Sequence, residues 1–185
     1  TATWRDKNNQ ARTFDREKAE RIAAALANGT GTLIEVKKTW KQTPPPAAYD
    51  LTELQRDASK RYDYSAKETL NLMQRLYENH KVLTYPRTDS RYLSADIVPT
   101  LKERLKACSV VPYRTIGGRL IRLPIPEKPF FVDDKKVSDH HAIIPTEQFV
   151  ELSHMTVDER RVYDLVVRRF LAVFYPPYEY EQTSV

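Results

Sequence analysis

Apolar residues recur at the helical spacing in several stretches of the chain and at a spacing of two in others, with caps and prolines marking each change. Ala2 to Arg5 reads as a strand end, followed by a polar turn over Asp6 to Gln10. Between Asp15 and Asn28 the apolar positions are Ala19, Ile22, Ala23 and Leu26, which predicts a helix that Asp15 starts and Gly29 ends. From Thr30 to Gln42 the period shortens, with Ile34, Val36 and Trp40 on one side and Glu35, Lys37 and Thr39 on the other. That alternation predicts a long exposed strand. Pro44-Pro45-Pro46 then interrupts any hydrogen-bonded element and marks a domain boundary.

Helical spacing returns at Asp50, with Leu51, Leu54 and Ala58 in register up to Tyr62 and a turn at Asp63-Tyr64. Ser65-Ala66-Lys67-Glu68 is a capping box. Thr69, Leu70, Met73, Leu76 and Tyr77 form the apolar stripe of the helix it opens, which puts Met73 and Tyr77 in the core. Asn79-His80 ends that helix ahead of a short extended piece, Val82 to Tyr85, and His80 and His154 read as surface residues at element ends. Asp96 is expected to cap the next helix, with Pro99 in its first turn and Leu101 and Leu105 facing inward. Ser109 to Lys136 lacks a clear period and reads as a long surface loop with a hairpin, including a strand from Arg119 to Leu123. Thr156-Val157-Asp158-Glu159 is a second capping box, opening a helix to Phe174 with Val162, Val166, Phe170 and Val173 on one side. Pro176-Pro177 stops it. Tyr178 to Val185 alternates like a strand able to rejoin the sheet begun near Thr30.

The composition narrows the classes. A chain of 185 residues can bury a real core. It starts on Thr1 without an apolar leader, which reads as a segment of a longer protein, and it lacks a run long enough to cross a membrane. The single cysteine, Cys108, rules out an internal disulfide framework, argues against a Cys-based zinc site and fits a reducing cytosol. It is expected as a small buried hydrophobe. The net charge of +5 suits a phosphate-binding protein. Arg114, Arg119, Arg122, Lys128, Lys135 and Lys136 could track a DNA backbone or simply be solvated, and the same holds for Arg56, Lys60 and Arg61.

The candidate chemistry is concentrated in Leu83-Thr84-Tyr85-Pro86-Arg87-Thr88-Asp89-Ser90-Arg91-Tyr92-Leu93. Pro86 disfavours the helical region for Tyr85 and fixes the next backbone position, so Tyr85 ends an extended segment entering a turn. Residues two apart share a face in such a segment, which places the Arg87 guanidinium beside the Tyr85 hydroxyl and brings Asp89 toward the same side. A phenol with a pKa of about 10 is a weak nucleophile at neutral pH. A guanidinium can hold a phosphodiester by paired hydrogen bonds and stabilise the charge that develops during transfer. Asp89 either orients Arg87 or caps the following turn. Asp139-His140-His141 raises the question of a metal, but adjacent extended residues point to opposite faces, and His141 reads as a structural histidine.

Thr84 to Leu93 resembles the active-site segment of type IA DNA topoisomerases, in the form with proline after the tyrosine that topoisomerase III members carry. Ser138-Asp139-His140-His141-Ala142-Ile143-Ile144-Pro145-Thr146 resembles the family's histidine motif, and weaker matches lie in Phe14 to Ala19 and Pro45 to Ala58. The resemblance implies that Tyr85 becomes linked to a 5′-phosphate of single-stranded DNA. By the same analogy Arg87 positions and neutralises the scissile phosphate, and His140 assists in proton or charge handling. Thr84 and Asp89 would support them, and Arg91 and Tyr92 would join Arg87 in contacting DNA. The resemblance further implies a Toprim domain whose carboxylates hold Mg²⁺ and another DNA-binding domain. Neither is legible in this chain, so no cofactor is expected in it and it should not complete a cleavage and rejoining cycle alone.

These readings give an α+β fold with a mainly helical, tyrosine-bearing domain over residues 46–176. Residues 1–45 and 177–185 would belong to a β-rich arch that, by resemblance, hinges this domain so that a second DNA segment can pass. The expected partners are single-stranded DNA and the remaining domains of the same polypeptide, in a cytoplasmic, nucleoid-associated monomer with no membrane attachment. The rival reading is a non-catalytic single-stranded nucleic-acid-binding module in which Tyr85 and Tyr92 stack on bases. A tyrosine recombinase or type IB enzyme would join the 3′-phosphate, and the Tyr-Pro segment does not resemble theirs.

Overall fold

The computed structural model describes residues 3–27, 29–32, 35–126 and 129–184. Ala2, Asn28, Ile34, Lys128 and Val185, each part of an expectation above, lie outside the described residues. The fold is α+β, mostly helical with a two-stranded antiparallel sheet. The chain divides into two compact units, residues 1–41 with 180–185 and residues 42–179.

In the smaller unit, Asp6 Oδ1 accepts from the backbone N–H groups of Asn8 and Gln10 and closes the polar turn. Residues 3–5 form no strand, against the expectation of a strand end there. Helix α1 (Arg16–Ala27) starts where Asp15 Oδ1 accepts from the Lys18 N–H at 3.0 Å. None of its described residues is buried, so its apolar stripe meets no core. Strand β1 (Lys37–Thr43) pairs with β2 (Tyr178–Ser184). The strand expected from Thr30 is therefore shorter. Only as many residues can pair as the partner offers, and β2 offers seven. Every residue of β1 is exposed, so its alternation marks no inward face.

In the larger unit local signals set the helix ends. Asp50 accepts from the Glu53 N–H at 2.7 Å to start α2 (Leu51–Tyr62), and Asp63, in the left-handed region at φ 58°, ends it. Ser65 and Glu68 close a reciprocal capping box on α3 (Ala66–Glu78), and Thr156 and Glu159 close another on α6 (Val157–Ala172). Leu54, Met73, Leu76, Val162, Val166 and Phe170 from these three helices are fully buried against one another. At roughly 1.5–3 kcal/mol for each such side chain, this contact is the main apolar stabilisation of the unit.

Charged ties fix the register of the packed helices. Arg169 of α6 donates to Asp57 of α2 at 2.8 Å, and its guanidinium lies 4.1 Å from the centre of the Tyr49 ring. The Tyr49 hydroxyl also donates to Asp57, and burial followed by that carboxylate pushes the phenol up to about 12. Glu159 takes Arg75 at 2.8 Å and lies 3.5 Å from His80, so His80 is an interhelical contact rather than a surface end residue.

Two further expectations are corrected here. Residues 95–100 wind as a 3-10 turn that contains Pro99, and α4 (Leu101–Cys108) starts only after it, so Asp96 caps nothing. Pro99 has no N–H to give, and the α-helical ladder begins past it. The stretch expected as a loop and hairpin instead holds helix α5 (Arg114–Arg122), where a strand was expected from Arg119. Gly117 explains the difference: a Cβ there would come within 1.8 Å of Ser109 Oγ, so its absence lets α5 close on the end of α4. Cys108, 1% exposed, lies under this junction, and burial pushes its thiol up to about 12.

Candidate active site

The site is built by two extended segments that run antiparallel. Leu83 bridges to Pro145, the Thr84 N–H donates to the Ile144 carbonyl at 3.0 Å, and the Ile144 N–H returns to Thr84 Oγ1 at 3.0 Å. Further along, the Thr88 hydroxyl donates to the His140 carbonyl at 2.8 Å, and the Ala142 N–H donates to the Tyr92 carbonyl at 2.9 Å. The two motifs, some fifty residues apart in sequence, are thereby laid side by side. Outer anchors hold the pair. The Leu51 N–H in the first turn of α2 donates to the Thr88 carbonyl, and the Ile143 N–H donates to the Tyr49 carbonyl. Arg104 of α4, 7% exposed, donates to the Pro145 carbonyl at 3.0 Å and to Glu147 at 2.8 Å.

This pairing brings the Tyr85 ring to 4.4 Å from the His140 ring, centre to centre. Tyr77, in the last turn of α3, also meets Tyr85, edge to face at 5.5 Å. Tyr85 is half-buried and His140 is exposed. Tyr77 is 38% exposed, so it is not the core residue its place in the apolar stripe predicted, whereas Met73 is fully buried as expected. Leu70 of the same stripe also leaves the core and lines the cleft beside the site.

That cleft, about 490 Å³, is lined by Arg87, Thr88, Asp89 and Ser138 to His140, together with Leu51, Thr52 and Leu70. Arg87 is exposed there and shares the cleft with His140, which in turn touches Tyr85. Asp89 does neither thing expected of it. Its carboxylate accepts from the Ser138 hydroxyl at 3.1 Å, while Thr88 Oγ1 accepts from the Ser90 N–H and shapes the turn. A hydroxyl from the second motif competes successfully for Asp89, and nothing local announces it. Arg91 is half-buried and donates to the Ala48 carbonyl at 3.4 Å. Tyr92 accepts from the Lys136 ammonium at 3.3 Å, and that ammonium lies 4.4 Å from its ring centre.

His141 is half-buried. Its Nδ1 lies 2.7 Å from the Ala142 carbonyl oxygen, and burial holds its pKa below the ordinary histidine value. Among the described residues no three His, Cys, Asp or Glu side chains converge as a metal site requires. Sequence reasoning had named Tyr85, Arg87 and His140. Tyr77, Thr52 and Ser138 were given no role at the site, and their places beside it are decided by contacts with distant segments.

A family model described as DNA topoisomerase matches residues 1–185. The chain belongs to the DNA topoisomerase family. Within it, this topoisomerase chain is 57% identical over 183 residues to DNA topoisomerase 3 of Bacillus thuringiensis strain Al Hakam, covering 99% of the chain and 25% of that protein. It is 52% identical over 186 residues to DNA topoisomerase 3 of Bacillus subtilis strain 168, covering 100% of the chain and 26% of that protein. The full-length topoisomerase I of Thermotoga maritima superposes with a TM-score of 0.63 at 26% identity, over 95% of this chain and 28% of that structure. The topoisomerase chain thus spans about a quarter of the length of these relatives.

Proposed function

We propose that this chain supplies the nucleophile of a topoisomerase III-like type IA DNA topoisomerase, which cuts and rejoins single-stranded DNA through a transient 5′-phosphotyrosine. The observation that carries the reading is the contact of the Tyr85 ring with both Tyr77 and His140, with His140 and Arg87 lining one cleft. In the cutting step the Tyr85 oxygen attacks phosphorus. The new O–P bond replaces the bond to the 3′-oxygen, and that oxygen leaves and takes a proton while the phenol gives one up. Arg87 stabilises the charge that builds on the phosphoryl oxygens. His140 is placed to pass a proton or to stabilise charge at the phenol. Thr84 supports them by fixing the two segments in register, and Asp89 by holding Ser138 at the cleft wall. Arg91 and Tyr92 stand at the far end of the same segment as further DNA contacts. Rejoining is the reverse displacement, which conserves the phosphodiester energy.

In this reading residues 46–176 form the tyrosine-bearing domain, and residues 1–45 with 177–185 belong to the arch that lets a second strand pass. In the same reading Mg²⁺ belongs to a Toprim domain of the full-length protein. The protein works as a monomer at the cytoplasmic nucleoid. Among the described residues no helix is long and apolar enough to cross a membrane.

The test is mass spectrometry of the full-length protein after incubation with Mg²⁺ and a single-stranded oligonucleotide and rapid denaturation, beside Tyr85→Phe. The expected result is an adduct on Tyr85 through a 5′-phosphate that the Phe variant lacks. A 3′-linked adduct, or tight single-strand binding without any adduct, would overturn the reading.

A further inference from the structure

Thr52 lines the cleft at Arg87 and His140. Thr52 also lines a second groove of about 480 Å³ between the exposed side of α2 and the start of α3, with Arg56, Ser59, Lys60, Tyr64 and Ser65. Thr52, Arg56, Ser59 and Lys60 follow the spacing of a single helical stripe, so they form one line of polar side chains about 12 Å long at 1.5 Å per residue. The charged side chains along this groove are both cationic. Arg56 pairs with Glu53 on the same helix turn, and its own side chain is 71% exposed, so a polyanion can compete for it.

The far end of the groove is aromatic and rigid. The Tyr64 hydroxyl donates to Asp158 and accepts from Arg161 at 3.1 Å, and its ring lies 5.5 Å from that of Tyr62. Arg161 also lies 5.3 Å from the Tyr62 ring centre. A ring held at its hydroxyl and along one side gives up little freedom when a base stacks on it. The Gln55 amide, also in the groove wall, donates to the Ala66 carbonyl at 3.0 Å and ties α2 to α3.

A line of cations ending at a fixed aromatic ring suits a single nucleic-acid strand, whose backbone is anionic and whose bases present flat faces. We propose that the groove between α2 and α3 is a subsite for single-stranded DNA leaving the Tyr85 cleft, with Arg56 and Lys60 on successive phosphates and Tyr64 stacked on a base. The proposal rests on the reading of Tyr85 as the strand-cutting nucleophile and extends it to the path of the strand.

The experiment is fluorescence anisotropy of a labelled oligothymidylate with the 185-residue chain across a salt series, comparing wild type with the double variant Arg56→Gln/Lys60→Gln and with Arg87→Gln. Loss of two phosphate contacts should weaken binding on the order of tenfold at low salt and make the log–log salt dependence shallower by about 1.4, at roughly 0.7 per contact on single strands. Tyr64→Leu should weaken binding several-fold with the salt slope unchanged, because stacking releases no counterion. Circular dichroism should show the Arg56→Gln/Lys60→Gln and Arg87→Gln variants folded, since those side chains are exposed. A double variant that keeps the wild-type affinity and slope while Arg87→Gln loses both would overturn the groove and leave the Tyr85 reading standing. A wild-type chain that does not bind the oligonucleotide would overturn the subsite outright, and adduct formation at Tyr85 would still decide the other reading separately.

Discussion

The rings of Tyr77 and Tyr85 meet edge to face with their planes at 82° and their centres 5.5 Å apart. His140 also meets the Tyr85 ring, at 4.4 Å between centres, so the phenol is held by two rings from two different segments. Such a ring pair contributes about 0.5–1.5 kcal/mol beyond burial. Tyr77→Ala should therefore lower the rate of adduct formation at Tyr85 up to roughly tenfold, while Tyr77→Phe should leave it nearly unchanged, because the contact is made by the ring and not the hydroxyl. Quenched time courses of the covalent adduct would measure both. Equal loss in the two variants would sink the positioning role.

Acid should weaken the fold in two stages with different causes. Burial holds the folded pKa of His141 below about 6.5, so the unfolded chain binds a proton first and stability falls as pH drops below about 7. For Glu159 burial alone would raise the pKa, but the Thr156 N–H, the Arg75 guanidinium and the Thr156 hydroxyl together hold it below the ordinary value. Its contribution is complete above about pH 5 and is lost as pH falls through that lowered value. Urea midpoints measured against pH should show both stages in wild type, and His141→Asn should remove only the one nearer neutrality.

Two adjacent glycines on α5 should respond in opposite directions. A methyl at Gly117 would lie 1.8 Å from Ser109 Oγ and 2.9 Å from Ser109 Cβ, so Gly117→Ala should destabilise by about 1–3 kcal/mol. At Gly118 a Cβ meets nothing within 4 Å, and Gly118→Ala should stabilise by up to about 1 kcal/mol through helix propensity. Thermal melts of the two variants would suffice. A stable Gly117→Ala protein would mean that α5 does not sit against the end of α4 as described.

Arg104 has no place in the chemistry, yet it holds the carbonyl of Pro145 in the histidine motif. Arg104→Met should cost about 2 kcal/mol, since it removes a charged donor from a buried carbonyl. Hydrogen exchange at Thr84 and Ile144, whose amides cross between the two motifs, should rise more than exchange in α6. Uniform acceleration throughout the unit would instead point to global loss of stability.

What could be read in advance and what could not divide along the range of the interactions. Ser65 with Glu68 and Thr156 with Glu159 announce their helices because a cap is satisfied within one turn. Tyr85 stood out because Pro86 constrains its backbone whatever the rest of the chain does. By contrast, α5 is a helix because Gly117 admits Ser109, and β1 is short because β2 is short. Tyr77 follows the core period of α3, but it sits where that helix runs out beside Tyr85, so the period alone places it on the wrong side of the boundary. Asp89 was assigned to its neighbours in sequence and is taken by Ser138, which the segment pairing delivers.

The burial of Cys108 has a practical consequence. A thiol that is 1% exposed and pushed up to about 12 is almost wholly un-ionised at neutral pH and out of reach of maleimides and mild oxidants. The native chain is therefore silent toward thiol reagents while folded. A cysteine introduced anywhere on its surface would carry a dye or spin label alone, without first removing a residue on which the packing of α4 depends.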